Sequence, residues 1–344
     1  MAATVEAELG APVAFQLPPV LHTADGRVRR VGVEVELGGL DEQEAAAVVV
    51  EVFGGTVRAT GDYTFAVEGT SLGEFRVELD SHLLKHHRGR DFLDRLGVPR
   101  PVEDAVETVM SSVLRQFVPS EIVAPPVPIT ELAQLEGLRL ALHRRHAEGT
   151  RRSLLYMFGF QLNPELPALD VDTLRRHLAA FLLLYEWLVE VSAIDITRRT
   201  MSFIDPFPEA YRRKLLAEDY APDLDGFIAD YLDANPTRNR PLDMLPVLVT
   251  LRREQVLAAA TEPDQIKGRP TFHYRLPNSL LDEPGWSFAA EWNRWVQVER
   301  LAADDARLAR LSALYLAHVA DGAPGDGSSW AEVMARELAE ARWL

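Results

Sequence analysis

Residues 31–37 read VGVEVEL, a strict alternation of apolar and polar positions. This alternation predicts a β-strand with one buried face, because successive side chains of a strand point to opposite sides of a sheet. Glu34 and Glu36 then share the other face, about 7 Å apart. Such a pair is typical either of an edge strand with solubilising charges or of a cleft in which a hard divalent cation such as Mg²⁺ offsets the carboxylate repulsion.

The composition indicates a soluble globular protein with a large core, in one or two domains. The chain has 344 residues, of which 47% are hydrophobic and 26% are charged, which is enough for a sizeable core. Acidic residues outnumber basic ones by 52 to 36, giving a net charge of −16. This charge disfavours nucleic acid and anionic membranes as partners. The chain has no cysteine, which excludes disulfides, thiolate metal sites and cysteine nucleophiles.

The amino terminus does not have the pattern of a signal peptide. Residues 1–14 lack a basic start and an apolar segment, and both are features of a secretory leader. The longest apolar run, residues 178–185, is too short to cross a bilayer. We therefore expect a cytoplasmic protein.

Other predicted strands also carry polar groups on one face. These groups are Arg76, Glu78 and Asp80 on residues 74–80, Glu121 on residues 120–123, Gln161 and Asn163 at the end of a strand that starts at residue 154, and His273 and Arg275 on residues 271–276. One sheet would bury the apolar face of all these strands and present the polar groups on the other. The repeated use of acids favours a trough lined for a cation.

Three parts of the chain are predicted. They are an irregular arm at residues 1–28, a mainly antiparallel α+β domain at residues 29–280, and a helical C-terminal extension at residues 281–344. The central domain should have about six strands, with helices packed on one face. Asp41 and Glu44 form a capping-box pattern before a helix that ends at Phe53, and Thr130 is the expected cap of a second helix. The extension could pack on a second subunit of a homo-oligomer, but packing on the chain's own core is the expectation.

Residues 195–247 predict a helical insertion or lid, because prolines divide them into short pieces. The run from Asn235 to Asp243 contains Arg238 and Arg240, and Arg269 follows in a later loop. Such a run either binds phosphate or carboxylate through guanidinium groups or forms a capped, salt-bridged turn. Both interpretations are open from the sequence.

The order of these motifs resembles that of the amidoligase family, which is related to glutamine synthetase and glutamate–cysteine ligase. Residues 32–36 (GVEVE) resemble the family's opening G-x-E-x-E strand, and residues 75–81 (FRVELDS) resemble a strand that ends in an Asp-x-Ser-like element. Residues 121–126 (EIVAPP) resemble the distinctive E-[LIV]-V-[SA]-P stretch. Residues 159–163 (GFQLN) and 272–275 (FHYR) lie where G-x-H-x-[HN] and E-x-R are expected, so Gln161 replaces a histidine and His273 replaces an acid.

The resemblance implies a glutamine-synthetase-like catalytic sheet and an ATP- and Mg²⁺-dependent carboxylate–amine ligase. In such an enzyme a carboxylate attacks the γ-phosphate of ATP, and an amine or ammonia then displaces phosphate from the acyl phosphate. The carboxylate would belong to a small molecule or a peptide. An amidotransferase-like partner protein would supply ammonia.

The resemblance also implies roles for individual residues. They are metal binding by Glu34, Glu36, Glu121 and His273; catalysis by Arg275, Glu36 and Asp80; and nucleotide binding by Gln161, Asn163, Arg269, Arg238 and Arg240. Because Gln161 and His273 depart from the family pattern, the alternative is a catalytically weakened member that binds a nucleotide or peptide as a partner module. A metal-dependent hydrolase is a third interpretation, which is weakened because no H-E-x-x-H motif is present.

Overall fold

The computed structural model describes residues 13–79, 119–150, 158–194, 204–321 and 328–343. Over these ranges the chain forms a mixed α/β structure around one open antiparallel sheet. The strands are β1 (Arg30–Leu37), β2 (Thr56–Gly61), β3 (Thr64–Glu68), β4 (Phe75–Leu79), β5 (Ser120–Val123), β6 (Val127–Pro128), β7 (Phe160–Pro164), β8 (Leu242–Asp243) and β9 (His273–Tyr274). The helices are α1 (Glu42–Phe53), α2 (Glu136–Arg144), α3 (Val171–Val191), α4 (Glu209–Leu216), α5 (Leu224–Ala234), α6 (Leu245–Leu251), α7 (Arg253–Ala259), α8 (Phe288–Ala302), α9 (Asp305–Asp321) and α10 (Trp330–Glu340).

Strand β1 lies near the centre of the sheet. The strands follow the order β2-β3-β4-β5-β1-β7-β9-β8, and β6 pairs with the start of β1. Glu36 lies opposite Glu121 of β5, and Glu34 lies opposite Gln161 of β7. The strand predicted at residues 31–37 is therefore confirmed as part of β1, and it is paired on both sides.

The described residues contain nine strands, where the sequence predicts about six. Two of the additional strands, β6 and β8, have only two residues each. Two residues cannot show an alternating pattern, and Pro128 and Pro241 lie within or next to these pairs, where proline is a signal against a strand. Strand β7 begins at Phe160, and residues 151–157 of the predicted strand lie outside the described ranges.

Helices α1, α3 and α8 pack on the apolar face of the sheet. Phe53 of α1 stacks on Phe75 of β4 with ring centroids 5.0 Å apart. Phe181 of α3 and Trp295 of α8 contact Tyr274 of β9 at centroid distances of 6.0 and 5.4 Å. Burying side chains of this kind contributes about 1.5–3 kcal/mol each. These contacts stabilise the sheet from one side and leave its polar face uncovered by these three helices.

Of the two helix N-termini predicted from the sequence, one is confirmed and the other is wrong. The capping box of α1 is confirmed: the Asp41 side chain accepts from the backbone N–H of Glu44, and the Glu44 side chain accepts from the backbone N–H of Asp41. The prediction that Thr130 caps a helix is wrong. The backbone N–H of Ile129 is already held by the carbonyl of Arg29, and a 3₁₀ helix begins at Ile129, so Thr130 lies inside its first turn.

The N-terminal arm and the C-terminal helices pack on each other and on the core. The backbone of Gln16 accepts from Trp292 Nε1 at 2.7 Å and donates to Asn293 Oδ1 at 2.8 Å. Trp292, Trp295 and Trp330 are fully buried within the chain. The C-terminal helices therefore pack on the chain's own core.

Residues 204–247, the described part of the predicted insertion, also contribute to this core. Tyr211 of α4, Phe227 of α5 and Leu245 of α6 are buried. Strand β8 lies within this segment and adds the edge strand beside β9. Among the helices of the described ranges, none combines the length and the apolar character needed to span a membrane.

Candidate functional site

Three carboxylates lie in a row across neighbouring strands on the polar face of the sheet. Glu78 of β4 is directly opposite Glu121 of β5, which in turn is directly opposite Glu36 of β1. We call these three residues the carboxylate row. Directly opposed residues have Cβ atoms about 4.5–5.5 Å apart, and like charges at that distance repel. Arg76 forms an ion pair with Glu78 at 3.0 Å and offsets part of the negative charge.

Two hydrogen bonds, one from a side-chain amide and one from the backbone, orient the glutamates of β1. Asn163 Nδ2 donates to Glu34 Oε1 at 2.7 Å. Gly32 lies opposite Asn163, and a Cβ at position 32 would lie 3.4 Å from the Cβ and the Nδ2 of Asn163. A Cβ at this position would therefore be in ordinary van der Waals contact with the amide that orients Glu34. The backbone N–H of Gly159 donates to Glu36 Oε2 at 2.7 Å and orients the second carboxylate.

Gln161 and His273 are neighbours on the adjacent strands β7 and β9. Gln161 Nε2 donates to Asn163 Oδ1 at 2.7 Å and lies 3.3 Å from His273 Nδ1. Arg275 Nη2 lies 3.4 Å from the same imidazole nitrogen. The side chains of Gln161 and His273 are both buried. The two side chains thus belong to one hydrogen-bonded network that runs from Glu34 to Arg275.

A buried carboxylate lies between two arginines at the other end of this network. Asp243 of β8 is opposite His273 of β9 and is completely buried. Its Oδ2 accepts from Arg275 Nη2 at 3.2 Å and lies 4.0 Å from Arg238 Nε. Its Oδ1 accepts from the backbone N–H of Leu245 at 3.0 Å. We call Arg238, Asp243 and Arg275 the arginine cluster.

Burial and the surrounding charges shift the pKa values at this end of the face. Burial raises the pKa of Asp243, although the charges of Arg275 and Arg238 oppose the shift. Burial lowers the pKa of His273 well below its ordinary value, and the charges of Arg275, Arg269 and Arg238 lower it further. His273 is therefore neutral near pH 7, whereas the arginines remain cationic. The end of the face around the arginine cluster favours an anionic ligand.

The remaining predicted site residues are placed differently. The Arg240 guanidinium donates to Asn235 Oδ1 at 2.9 Å and to the backbone oxygen of Pro206 at 2.7 Å. It holds the end of α5 against the segment before α4, and the structure does not bring it to the arginine cluster. Arg269 is exposed and close enough to His273 to affect its pKa. Asp80 lies outside the described residues.

The chemistry of the carboxylates on this face suits a hard divalent cation. Glu36 and Glu121 are directly opposite each other, and Glu34 lies two residues along β1 on the same face. Mg²⁺ usually takes one or two carboxylates, and phosphate oxygens and water complete its coordination. In the part of the chain that the structure describes, no group of three or more His, Asp or Glu side chains is arranged to hold a metal ion. Glu36 and Glu121 alone would supply the one or two carboxylates that Mg²⁺ usually takes from a protein.

Asp243 is not among the candidate residues predicted from the sequence. It belongs to a two-residue strand, so no alternating pattern marks it. The available signal is an isolated acid between Leu242 and Met244, both of which are fully buried. An acid is rarely buried without a partner, so such a position suggests a buried ion pair.

The fold and the site define an α/β protein whose antiparallel sheet presents carboxylates at one end of its polar face and arginines at the other. Residues 27–297 match the model of the family described as "Putative amidoligase enzyme". This match covers more than half of the chain, and the chain belongs to that family. The matched region runs from the residues before β1 into α8 and includes every described residue of the polar network. Searches of curated proteins and of solved structures found no match.

Proposed function

We propose that this protein is an ATP- and Mg²⁺-dependent ligase that joins a carboxylate to an amine or ammonia through an acyl phosphate. The observation that carries this proposal is the separation of charge on one sheet face. The carboxylate row lies at one end of this face, and the arginine cluster lies at the other. Membership of the amidoligase family supports amide-bond formation as the outcome. The proposal assumes that the sheet is of the glutamine synthetase type.

Amide formation requires an activated carboxyl group, because hydroxide is a poor leaving group at neutral pH. In the first step a carboxylate oxygen attacks the γ-phosphorus of ATP, and the bond to the departing ADP oxygen breaks. In the second step the amine nitrogen attacks the carbonyl carbon, phosphate leaves, and the nitrogen loses a proton. The tasks of the protein are to neutralise charge and to position the reactants.

We assign Glu34, Glu36 and Glu121 to holding Mg²⁺ beside the phosphates. When bound, the metal ion would offset the negative charge of the β- and γ-phosphates. The hydrogen bonds from Asn163 and the backbone of Gly159 orient two of these carboxylates in advance. Side chains that are already ordered lose less conformational entropy when a ligand binds.

We assign Arg275 to the oxygens of the transferring phosphoryl group. Asp243 and His273 contact its guanidinium at 3.2 and 3.4 Å and so restrict its direction. Arg238 lies on the other side of Asp243, and Arg269 is exposed nearby. These cations create a local positive potential in a chain with a net charge of −16. A local field of this kind attracts anionic substrates that the whole protein would repel.

A catalytically weakened family member that binds a nucleotide or peptide is the competing function. The contact between Gln161 and His273 favours this alternative, because two uncharged side chains stand where the family pattern has a histidine and an acid. The two functions differ in turnover and not in binding.

An ADP-release assay separates these functions. The purified protein is incubated with ATP, Mg²⁺, and a panel of amino acids and peptides with and without ammonia, and mass spectrometry detects the amide product. The ligase proposal expects ADP release that depends on Mg²⁺, a carboxylate and an amine. Nucleotide binding that depends on Mg²⁺ but gives no turnover across the panel would favour the binding module instead. Absence of both binding and turnover would contradict both functions.

A further inference from the structure

The hydrogen bonds around Asn163 have a fixed direction because the group at one end can only accept. The Glu34 carboxylate is that acceptor, so Asn163 presents its NH₂ group to it at 2.7 Å. The Oδ1 of Asn163 therefore faces Gln161, which must present its own NH₂ group, also at 2.7 Å. Rotating either amide by half a turn would place two oxygen atoms against each other. The second N–H of Gln161 is then available to His273 Nδ1 at 3.3 Å.

Arg275 fixes the same imidazole nitrogen from the other direction. A guanidinium has only donors, and Arg275 Nη2 lies 3.4 Å from His273 Nδ1. Because Nδ1 faces two donors, it must carry a lone pair, and the ring proton must be on Nε2. Burial and the nearby positive charges lower the pKa of His273, which agrees with a neutral ring.

The Nε2–H of His273 is a buried donor that lacks a partner among the described residues. The residue is 7% exposed, and its side chain shares the polar face with Asp243 and Arg275. Nε2 lies at the end of the ring far from Cβ, so the donor is directed away from the strand. Nearly all buried donors in folded proteins are satisfied, so this one calls for a ligand atom.

We infer that this N–H binds an oxyanion, a phosphate or carboxylate oxygen, and that His273 is not a metal ligand. Arg238, Arg269 and Arg275 surround it with positive charge, which favours an anion and opposes a cation. Neither ring nitrogen offers a lone pair to a metal, because Nδ1 already accepts from two donors and Nε2 carries the proton. This role rests on the proposed function for the source of the oxyanion, which would be ATP or the carboxylate substrate.

Long-range ¹H–¹⁵N NMR on the full chain with labelled histidines tests the position of the proton. Protonated and lone-pair imidazole nitrogens have well-separated ¹⁵N shifts, and comparison with His273→Asn identifies the His273 signals. We expect the proton on Nε2 and the lone pair on Nδ1, with and without Mg²⁺. A lone pair on Nε2 in the free protein would overturn the inference.

Titration with inorganic phosphate and with acetate, each at constant ionic strength, identifies the oxyanion. A shift of the Nε2–H signal with phosphate alone supports a phosphoryl oxygen, and a shift with acetate alone supports a carboxylate oxygen. Shifts with both support a site for either oxyanion. No shift with either anion would contradict the inference.

Two substitutions separate the roles of the ring nitrogens. In His273→Gln the amide nitrogen can reach the position of Nε2 and keeps a donor there. In His273→Asn the shorter side chain keeps an acceptor near the position of Nδ1 but has no donor farther out. We expect His273→Asn to weaken binding of the active anion about tenfold and His273→Gln to weaken it less than about threefold. Equal affinity of His273→Asn and the wild type would overturn the inference, and thermal melts establish that both variants are folded.

The outcomes distinguish this inference from the proposed function. If the His273 signals behave as expected but the ADP-release assay finds no amide product, the ligase proposal fails and the oxyanion donor stands. If the protein forms an amide product but Nε2 carries a lone pair, the ligase proposal stands and the oxyanion donor is ruled out.

Discussion

Asp243 lies on β8, the edge strand of the sheet, and Arg275 directly follows the neighbouring strand β9; Asp243 Oδ2 accepts a hydrogen bond from Arg275 Nη2 at 3.2 Å. Asp243 is completely buried, whereas 23% of the Arg275 side chain is exposed. The carboxylate therefore anchors the guanidinium, while part of the Arg275 side chain stays accessible to solvent. Arg238 lies 4.0 Å from the same carboxylate oxygen, so one buried acid offsets two neighbouring cations.

Replacing Asp243 by alanine should destabilise the protein. Alanine removes the oxygens that accept from the backbone N–H of Leu245 and from Arg275 Nη2, so both buried groups lose this acceptor. Because burial raises the pKa of Asp243 on balance, the lost hydrogen bonds and not the lost charge cause the loss of stability. We expect the free energy of unfolding to fall by about 1–3 kcal/mol. Urea unfolding monitored by circular dichroism measures this change.

Asp225→Ala is the matched control for that substitution. Asp225 pairs with Arg252 at 2.6 Å on the surface, where both side chains are largely exposed. We expect its free energy of unfolding to remain within about 0.5 kcal/mol of the wild type. If the two substitutions had equal effects, Asp243 would not be an anchor for the arginine cluster.

Replacing Glu36 by glutamine should weaken the binding of Mg·ATP. The amide keeps an oxygen for the backbone N–H of Gly159 but is a poorer ligand for Mg²⁺ than a carboxylate. We expect affinity or turnover to fall about tenfold or more, and Glu34→Gln to act in the same direction. Stability should hold or rise, because Glu36 and Glu121 repel each other. Calorimetric titration and thermal melts with and without Mg·ATP measure both effects.

Glu51→Gln provides the control for the carboxylate row. Glu51 lies on α1 and pairs with Arg145 on the surface, away from the polar face. This variant should keep the full thermal shift on addition of Mg·ATP. An undiminished shift in both Glu34→Gln and Glu36→Gln would count against a metal site at these residues.

The part of the fold that the sequence predicts well is the part with a repeating local pattern. Strand β1 alternates over its whole length, and α1 carries both halves of its capping box. Strands β6 and β8 could not be predicted in this way, because each consists of two residues that pair with a strand distant in the chain. Tertiary contacts and not local propensity decide elements of this kind.

For the candidate site, alternation places residues on a face but does not show which strands are neighbours. It puts Glu36 and Glu121 on the polar faces of their own strands, and the register then brings them directly opposite each other. The contact between Gln161 and His273 exists because β9 pairs with β7, and Asp243 joins the site because β8 pairs with β9. These pairings join residues that are far apart in the sequence, so local sequence patterns cannot predict them.

The stability of the protein should fall on mild acidification because of His177. This residue of α3 is buried, and its Nδ1 donates to the backbone oxygen of Thr173 at 2.7 Å. Burial lowers the pKa of His177 in the folded state, although the nearby Glu299 opposes the shift. The unfolded chain then binds more protons than the folded chain below an unfolded pKa of about 6.5. We expect unfolding free energy to decrease from pH 7 to pH 5, by at most about 1.4 kcal/mol per pH unit from this group.

Urea unfolding at a series of pH values checks this prediction. His177→Gln should show a shallower pH dependence than the wild type, because the titrating group is gone. Some dependence should remain, since burial lowers the pKa of His273 in the same direction. His22→Gln, at an exposed position, should keep the wild-type slope, and identical slopes in all three proteins would contradict the prediction.

Replacing Glu299, which pairs with Arg29 in the core, should cause a large loss of stability. Arg29 donates to both oxygens of Glu299 at 2.7 Å, and their side chains are 0% and 2% exposed. Burial alone would raise the pKa of Glu299, but the charge and hydrogen bonds of Arg29 outweigh it and lower the pKa. The pair is therefore charged, and it joins the residue before β1 to helix α8. Glu299→Gln should reduce the free energy of unfolding by about 3–5 kcal/mol, because it leaves a buried guanidinium without its counterion.

Two further variants show whether that cost comes from charge or from packing. Glu68→Gln removes one partner of the exposed Arg58–Glu68 pair and should change stability by less than about 0.5 kcal/mol. The double variant Arg29→Met with Glu299→Leu removes both buried charges and should recover much of the stability that Glu299→Gln loses. If the double variant recovers free energy of unfolding, as measured with urea, the single substitution is costly because it leaves an unpaired charge in the core. If the double variant were less stable than Glu299→Gln, the directional hydrogen bonds of the pair, and not its charge balance, would hold α8 against the start of β1.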